Sequence, residues 1–520
     1  MNNDIKLQNK SDNSVIAKNT VFLYLRMIVI LLITLYISRA ILAILGHEDF
    51  GVYSVIGGVV ILFSFLTNAM TSATQRYLNF HLGLPNNGRI STVFNIAFLA
   101  HLSILIIVFI LSETIGLWFV ETQINLPEAR INAARWVYQM TVLASLINII
   151  VIPYRASLIA TERMDIFAIL SVIEVLLKLV SVVLLPLFSL DNLILYSVLL
   201  AFASTVNFGL HWHVSRSKIP FSKYQFEWDK QLYKEMMFFS GYHLLGGLAV
   251  VGSKQGLNIL INIFYNVTVN AAVGIANQVR SAVFSFVSSF QTAFNPQIVK
   301  LYASKEFENL YSLFYKSTKF SYYLILILSL PILVYCNEFL SIWLTNVPKY
   351  SVVFTQLVIV SSYIEALSAP LGIAIGATGK VKYYQIFVSV ILLLDLPIAY
   401  IALTYFSDPS YVFVFDIIVC FLAYLFRLLY VKHHVGYSIA NYSKKVFLPC
   451  LMVTILSVPL AYFIGKIGNN YFFVFFNSIT MVCLTAGVIS LVGLDNSERE
   501  FVNQLISKKI SKLWNQMVKR

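Results

Sequence analysis

The 520-residue sequence is 58% hydrophobic and only 12% charged, with a formal net charge of +13 and a mean hydropathy of +0.78. Soluble globular chains carry roughly 25% charged residues, so this composition excludes a water-soluble protein and indicates one embedded in lipid. The basic residues lie between apolar runs and form no single patch, so we expect no nucleic-acid partner.

Apolar runs that are long enough to cross a bilayer, roughly 20 residues each, recur from end to end. Residues 1–18 are polar, and the apolar run that follows lacks a small-residue cleavage site, so we expect no cleaved signal peptide. We predict about 14 transmembrane helices, near residues 19–45, 51–74, 90–112, 133–157, 165–188, 193–215, 235–264, 270–295, 316–336, 350–377, 383–406, 410–431, 444–465 and 471–493.

The charges between these spans predict the topology. With a cytoplasmic N-terminus, 28 of the 37 Lys and Arg residues fall in inside segments and five in outside segments. This bias follows the positive-inside rule and places both termini, 1–18 and 497–520, in the cytoplasm. In 497–520 the apolar residues share one helical face and the basic ones lie mostly elsewhere, which favours an amphipathic helix on the membrane surface over a disordered tail.

The spans divide into two halves. A basic cytoplasmic linker at 216–234 separates an N-lobe, 19–215, from a C-lobe, 235–432, and a final pair of spans follows at 443–493. "LTNAMTSATQRYLNFHLG" at 66–83 aligns weakly with "FVSSFQTAFNPQIVKLYA" at 286–303, and both close the second span of a six-span unit. Six spans return the chain to the same side, so the sequence predicts an all-α membrane fold with two lobes related by a pseudo-twofold axis along the membrane normal.

Cations in the middle of spans are the first candidate functional residues. A charge at a helix centre costs at least ~2.5 kcal/mol, so it usually faces a cavity or a partner. Lys254 and Arg280 have no acid within one helical turn. We predict that they line a cationic cavity for an anionic substrate. The alternative is that each pairs with an acid on another helix, such as Glu365, Asp395 or Asp416.

Two further charged positions lie in the first half. Arg26, about two turns inside the first span, joins the predicted cationic site, with snorkelling to the cytoplasmic surface as its alternative. Glu174 lies four residues before Lys178, the favourable order for an intrahelical ion pair. A structural pair is predicted there, and a coupling role stays open for Glu174 as for Glu365, Asp395 and Asp416.

Polar stripes on the opening spans of both halves suit a hydroxyl-rich ligand, because amides and hydroxyls both donate and accept hydrogen bonds. They suit interhelical contacts equally well. The residues predicted to line the cavity are Asn68, Gln75, Asn258, Asn277, Gln291 and Asn295.

No enzymatic motif stands out. The sequence has no phosphate-binding glycine loop, no His/Cys spacing typical of a metal site and no large outer loop. The four cysteines lie at unrelated spacings. We therefore expect a transporter with no catalytic residues, no metal and no cofactor, whose coupling ion, H⁺ or Na⁺, stays open.

The segment 19–83, with its "LGHEDFGVY" run at 45–53, and the segment "VGIANQVRSAVFSFVSSFQTAFNPQIVKLYA" at 273–303 resemble the Wzx-type O-antigen and polysaccharide-repeat flippases. These belong to the multidrug/oligosaccharidyl-lipid/polysaccharide exporter superfamily. The resemblance implies a MATE-like bundle in the bacterial inner membrane and a lipid-linked substrate, an undecaprenyl-pyrophosphate oligosaccharide moved from the cytoplasmic to the periplasmic leaflet. It also implies that Arg26, Lys254 and Arg280 face the pyrophosphate and that membrane lipids and other polysaccharide-assembly proteins are partners.

Three alternatives stay open at this point. A drug/cation antiporter of the same superfamily would rely on acids in its cavity. A lipid-II-type flippase is close to the favoured interpretation, and its relatives suggest that the last two helices form a groove for the lipid tail. A membrane glycan polymerase would need a long outer loop with catalytic Arg or His, and the longest outer segment here, 112–132, is short and acidic.

Overall fold

A computed structural model of the chain describes residues 64–84, 89–122, 130–265, 267–344, 347–466 and 470–500, apart from 497, together with 468 and positions between 19 and 56. Over these residues the chain is all helical and contains no β-strand, as the sequence predicts.

The first half contains six of the helices that we number here. They are α1 (Val21–Thr34), α2 (Ser64–Leu82), α3 (Ile90–Thr122), α4 (Ile131–Ala160), α5 (Met164–Leu187) and α6 (Asn192–Lys218). α3 contains a π-helical turn at Ser112–Gly116, where the Tyr138 hydroxyl of α4 donates a hydrogen bond to the Ser112 carbonyl. The wider turn therefore gains a partner from the neighbouring helix.

The remaining helices follow the linker. They are α7 (Lys230–Phe264), α8 (Val267–Ala303), α9 (Phe307–Val334), α10 (Ser351–Thr378), α11 (Lys382–Tyr405), α12 (Ser410–Val435), α13 (Ile439–Gly465) and α14 (Phe472–Gly493). α11 is interrupted at Leu394, and its second part begins at Asp395. A short helix, Cys336–Trp343, follows α9.

Eleven helices in the described part of the chain are long and apolar enough to cross a membrane, and each matches a predicted span. The first and second predicted spans fall partly outside the described residues. The described part of the first span contains the apolar helix Val21–Thr34. The eighth corresponds to α8, a continuous helix of 37 residues with many polar side chains. The predicted all-α membrane fold is confirmed, and two features make the eleven helices compatible with fourteen spans: incomplete description at the start of the chain and the polarity of α8.

Contacts divide the chain into two compact units. Unit 1 contains residues 1–252, 288–310 and 373–390, and unit 2 contains 253–287, 311–372 and 391–520. The boundaries fall inside α7, α8, α9, α10 and α11, so the units are not sets of whole helices. The predicted lobes and the linker at 216–234 stay predictions, as does the cytoplasmic side of both termini. The predicted surface helix lies almost wholly outside the described residues.

Candidate functional site

Unit 1 contains a group of charged side chains and one histidine that we call the Glu174 cluster: Arg26, Arg155, Glu174, Lys178 and His211. Arg155 on α4 donates from Nη2 to Glu174 Oε2 at 3.1 Å, and Lys178 donates to Glu174 Oε1 at 2.9 Å. The predicted intrahelical pair is thus present. Glu174 therefore bridges two cations on neighbouring helices.

Arg26 on α1 completes the cationic part of this cluster. Its guanidinium lies 4.6 Å from the centroid of the Phe167 ring, and it interacts electrostatically with Arg155 and Glu174. Its Nε atom is buried and has no hydrogen-bond partner, and neither has Nε of Arg155. Among the described residues, Glu174 is the only carboxylate that interacts with Arg26, Arg155 and Lys178, so three cations share one anion.

The neighbouring face of α6 adds neutral polar groups. His211 is fully buried, with Nδ1 3.0 Å from the Asn207 carbonyl. A carbonyl only accepts, so Nδ1 carries a proton and donates. His211 Nε2 and both side-chain polar atoms of Asn207, which is also fully buried, have no hydrogen-bond partner. Unsatisfied buried polar groups are costly, so this region is suited to a polar ligand or water.

Unit 2 contains a second charged group, the Asp416 cluster: Lys254, Arg280, Glu365, Asp395 and Asp416. Lys254 on α7 donates to Asp416 Oδ1 on α12 at 3.0 Å. Asp395, at the break in α11, is 1% exposed and accepts from Ser253 Oγ at 3.0 Å. It lies close enough to Asp416 to interact with it, while its Oδ1 atom has no partner.

Arg280 on α8 is also paired. Its Nη2 donates to Glu365 Oε2 on α10, and its Nε donates to Ser362 Oγ at 3.1 Å. The alternative in which Lys254 and Arg280 each pair with an acid on another helix is therefore present in the structure. Their predicted contact with substrate stays a prediction. The cluster holds three carboxylates against two cations, the reverse of the Glu174 cluster.

The predicted polar lining is dispersed between the units. Gln75, Gln291 and Asn295 belong to unit 1, where Gln291 is buried and Asn295 Oδ1 has no hydrogen-bond partner. Asn258 and Asn277 belong to unit 2. Asn68 lies on α2, and its side chain is outside the described part of the chain. Their common role as a cavity lining stays a prediction.

Sequence reasoning missed Arg155, His211 and Asn207. Arg155 lies five residues before the end of α4 and belonged with the loop charges in the topology argument. The sequence signal that could have found Arg155 is the short connection between α4 and α5. It makes the two helices neighbours, so that Arg155 lies beside Glu174. His211 and Asn207 carry no formal charge at neutral pH, so they gave no signal.

Contacts within unit 1 join helix ends that the predicted topology places on the cytoplasmic side. Glu162, in the turn between α4 and α5, accepts from Lys300 Nζ at 2.5 Å and from Gln297 Nε2 at 2.7 Å, both on α8. Arg76 on α2 donates to the carbonyls of Gly376 and Ala377 at the end of α10, both at 3.2 Å. We call these contacts the inner clasp.

The opposite ends of the unit 1 helices meet at another ion group, the outer triad of Asp49, Arg130 and Asp191. Arg130, just before α4, donates to both carboxylates, including Asp191 Oδ2 at 2.6 Å. Asp191 also caps α6 by accepting from the backbone amides of residues 193 and 194. Hydrogen bonding to Asp49 raises the pKa of Arg130. Burial raises the pKa of Asp191, but the hydrogen bonds from Arg130 and the backbone outweigh it and hold that pKa below its ordinary value of 3.8.

Comparison with known proteins places this geometry in a fold. Residues 249–401 match the MatE family model. A comparison of the sequence with curated proteins finds no match. Among solved structures, the outward-facing form of a multidrug resistance MATE family transporter of the MOP superfamily superposes with a TM-score of 0.69 at 13% identity, covering 82% of this chain and 96% of that one.

Two further solved structures agree. The Vibrio cholerae MATE transporter VcmN in its bent form gives a TM-score of 0.66 at 14% identity, covering 84% of this chain and 100% of that one. The MATE transporter ClbM in complex with Rb⁺ gives 0.69 at 14% identity, with coverages of 82% and 96%. The chain therefore has the fold of the MATE transporters, as the sequence predicts, and its residues 249–401 match the MatE family model.

Proposed function

We propose that this protein is a flippase that carries an undecaprenyl-pyrophosphate-linked oligosaccharide from the cytoplasmic to the periplasmic leaflet of the bacterial inner membrane. The observation that carries the proposal is the excess of cations in the Glu174 cluster. Among the residues that the structure describes, three cations and one carboxylate leave two positive charges inside the predicted membrane region. Burying such an excess costs free energy, which an anionic ligand offsets.

A diphosphate is the anion that best fits this cluster. It offers several oxygens and at least two negative charges, which match the excess of two. The guanidinium groups of Arg26 and Arg155 each retain a buried Nε without a partner, and guanidinium binds phosphate through paired donors. The uncharged Asn207 and His211 add hydrogen-bonding groups that also suit sugar hydroxyls.

The depth of the cluster suits loading from the cytoplasmic leaflet. Arg155 is five residues from the end of α4, and His211 is seven from the end of α6. At a rise of 1.5 Å per residue, these positions lie about 8 and 10 Å inside the predicted cytoplasmic ends. A headgroup at this depth remains near the leaflet where the lipid-linked substrate is made.

Alternating access requires contacts that break when the site opens to the other side. The inner clasp supplies such contacts at the predicted cytoplasmic ends, because the Glu162 pairs and the Arg76 hydrogen bonds join separate helices. Each is polar and partly exposed, so water replaces its partners at modest cost. We infer that loading begins with their separation.

A drug or cation antiporter remains the second candidate. The Asp416 cluster favours it, since three carboxylates face two cations there and one of the similar MATE structures, that of ClbM, was solved with Rb⁺. The excess acid also suits a coupling ion for the flippase. The two functions therefore differ in whether the Glu174 cluster or the Asp416 cluster contacts the substrate.

The test uses a strain that lacks the gene and carries plasmid-borne variants. In the triple variant Arg26→Gln, Arg155→Gln, Lys178→Gln we expect lipid-linked repeat units to accumulate on the cytoplasmic leaflet and surface polysaccharide to disappear. The matched control is Arg163→Gln, which removes an exposed cation at the same end of α5. Normal polysaccharide from the triple variant at normal protein level would contradict the proposal, and loss of drug resistance alone would support the antiporter.

A further inference from the structure

A groove on the surface of unit 1 lies between α1 and α5, where its walls are exposed to lipid. It has a volume of about 230 Å³, and seven of its eight lining residues are apolar. The eighth is Arg26. Leu25 and Val29 line the groove from α1, and Ile169 and Val172 line it from α5.

The walls of this groove face outward. Leu25 on α1 and Ile169 on α5 are each 57% exposed, and in a membrane-spanning bundle such side chains contact lipid. Arg26 lies in the groove while its guanidinium stacks on Phe167 and interacts with Arg155 and Glu174. An apolar, lipid-facing groove is therefore continuous with the cationic Glu174 cluster.

We propose that this groove holds the polyprenyl chain of the lipid-linked substrate, with the attached phosphate at Arg26. The inference rests on the proposed function and adds the path by which the substrate is bound: sideways from the membrane between α1 and α5. It differs from the expectation that the last two helices hold the tail.

Charge complementarity selects this occupant. A hydrocarbon chain gains little by leaving one apolar surface for another, because lipid tails are as apolar as the groove. The free energy that favours a phosphate-linked chain must come from the pairing of the phosphate with Arg26 and its neighbouring cations. An uncharged lipid has no such gain, and a bilayer phospholipid carries its phosphate at the membrane surface, about 8 Å from a residue five positions inside α1.

The groove also explains why Arg26 need not snorkel. A snorkelling arginine extends its head toward the headgroup region. Arg26 is instead held against Phe167, with a buried Nε, inside a groove that is open to lipid. A phosphate that enters this groove finds a guanidinium already positioned, so little side-chain entropy is lost on binding.

The experiment uses the full chain in phosphatidylcholine nanodiscs, titrated with undecaprenyl phosphate and followed by native mass spectrometry. Ile169→Trp and Leu25→Trp fill the groove from opposite walls, and Arg26→Gln removes its charge. The matched control, Val183→Trp, lies on α5 with 56% exposure and outside the groove. We expect each groove variant and Arg26→Gln to weaken binding about tenfold or more, the control to bind as the wild type does, and phosphatidylglycerol to compete weakly.

A short-chain probe, dimethylallyl phosphate, separates the two proposals. If the Trp variants bind undecaprenyl phosphate as tightly as the wild type while Arg26→Gln binds it weakly, the groove assignment is overturned and the proposed function stands. If phosphatidylglycerol competes equally, the groove holds ordinary lipid and the assignment is likewise overturned. If the wild type binds neither phosphate probe, the cationic site itself, and with it the proposed function, fails.

Discussion

The two charged clusters differ in how their charges balance. In the Glu174 cluster one carboxylate serves three cations, and buried donors remain without partners. In the Asp416 cluster each of the two cations has its own carboxylate, and Asp395 is a third acid. Cations that are paired across helices hold a bundle together, whereas an excess that is left unpaired is poised for a ligand. The same residue types thus take different roles because of their neighbours.

The largest expected effect tests this comparison of the two clusters directly. Asp416 is 5% exposed, and Lys254→Gln leaves its carboxylate without a cation. We expect a loss of about 3 kcal/mol in the free energy of unfolding, since an unpaired buried charge is strongly destabilising. Arg26→Gln, by contrast, removes a cation that makes no ion pair among the described residues and repels Arg155. Its unfolding midpoint should equal or exceed that of the wild type.

Thermal unfolding of the detergent-purified variants, followed by intrinsic fluorescence, measures both changes. The double variant Lys254→Gln, Asp416→Asn is the control, because it removes both charges together and should recover part of the loss. Should Arg26→Gln prove as unstable as Lys254→Gln, Arg26 would be a structural residue and the contrast between the clusters would fail.

A smaller effect concerns access to the Glu174 cluster. Glu162 contacts Lys300 and Gln297 in the inner clasp, and in the proposed mechanism opening to the predicted cytoplasmic side requires these contacts to break. With the native cysteines replaced, Glu162→Cys and Lys300→Cys together should be joined by a short bis-methanethiosulfonate reagent, which takes the place of the two longer side chains. We expect transport to stop in the crosslinked protein and to return on reduction, while either single variant stays active. Transport at the normal rate with the crosslink intact would exclude opening at this point.

The sequence predicted the fold more completely than the site. Spans follow from local hydropathy, so eleven of them match described helices. The Glu174–Lys178 pair follows from a spacing of four residues. The partner of Lys254 lies 162 residues away. The sequence offers three acids as possible partners, and only the packing of the helices decides among them. Arg155 was grouped with the loops because it lies two residues from the predicted end of its span at 157, and hydropathy does not show that Glu174 lies beside it.

The smallest expected effect is at the outer triad. The charge balance there is the reverse of that near the other end of α4: Arg130 pairs with two carboxylates, whereas Arg155 shares one carboxylate with two other cations. Asp191→Asn removes an ion pair and a charged cap, which should cost about 1 kcal/mol at neutral pH because the site is partly screened by water. The pKa of Asp191 lies below 3.8 in the folded chain, so its stabilisation is full at higher pH and declines as pH falls through that folded value. Unfolding midpoints of wild type and Asp191→Asn should therefore differ from pH 8 to 5 and begin to converge once the pH falls below about 3.8. If the difference persists undiminished at the lowest pH, the ionised pair with Arg130 does not account for the stability at this end of α6. Helix capping, which a neutral side chain also provides, would then account for it.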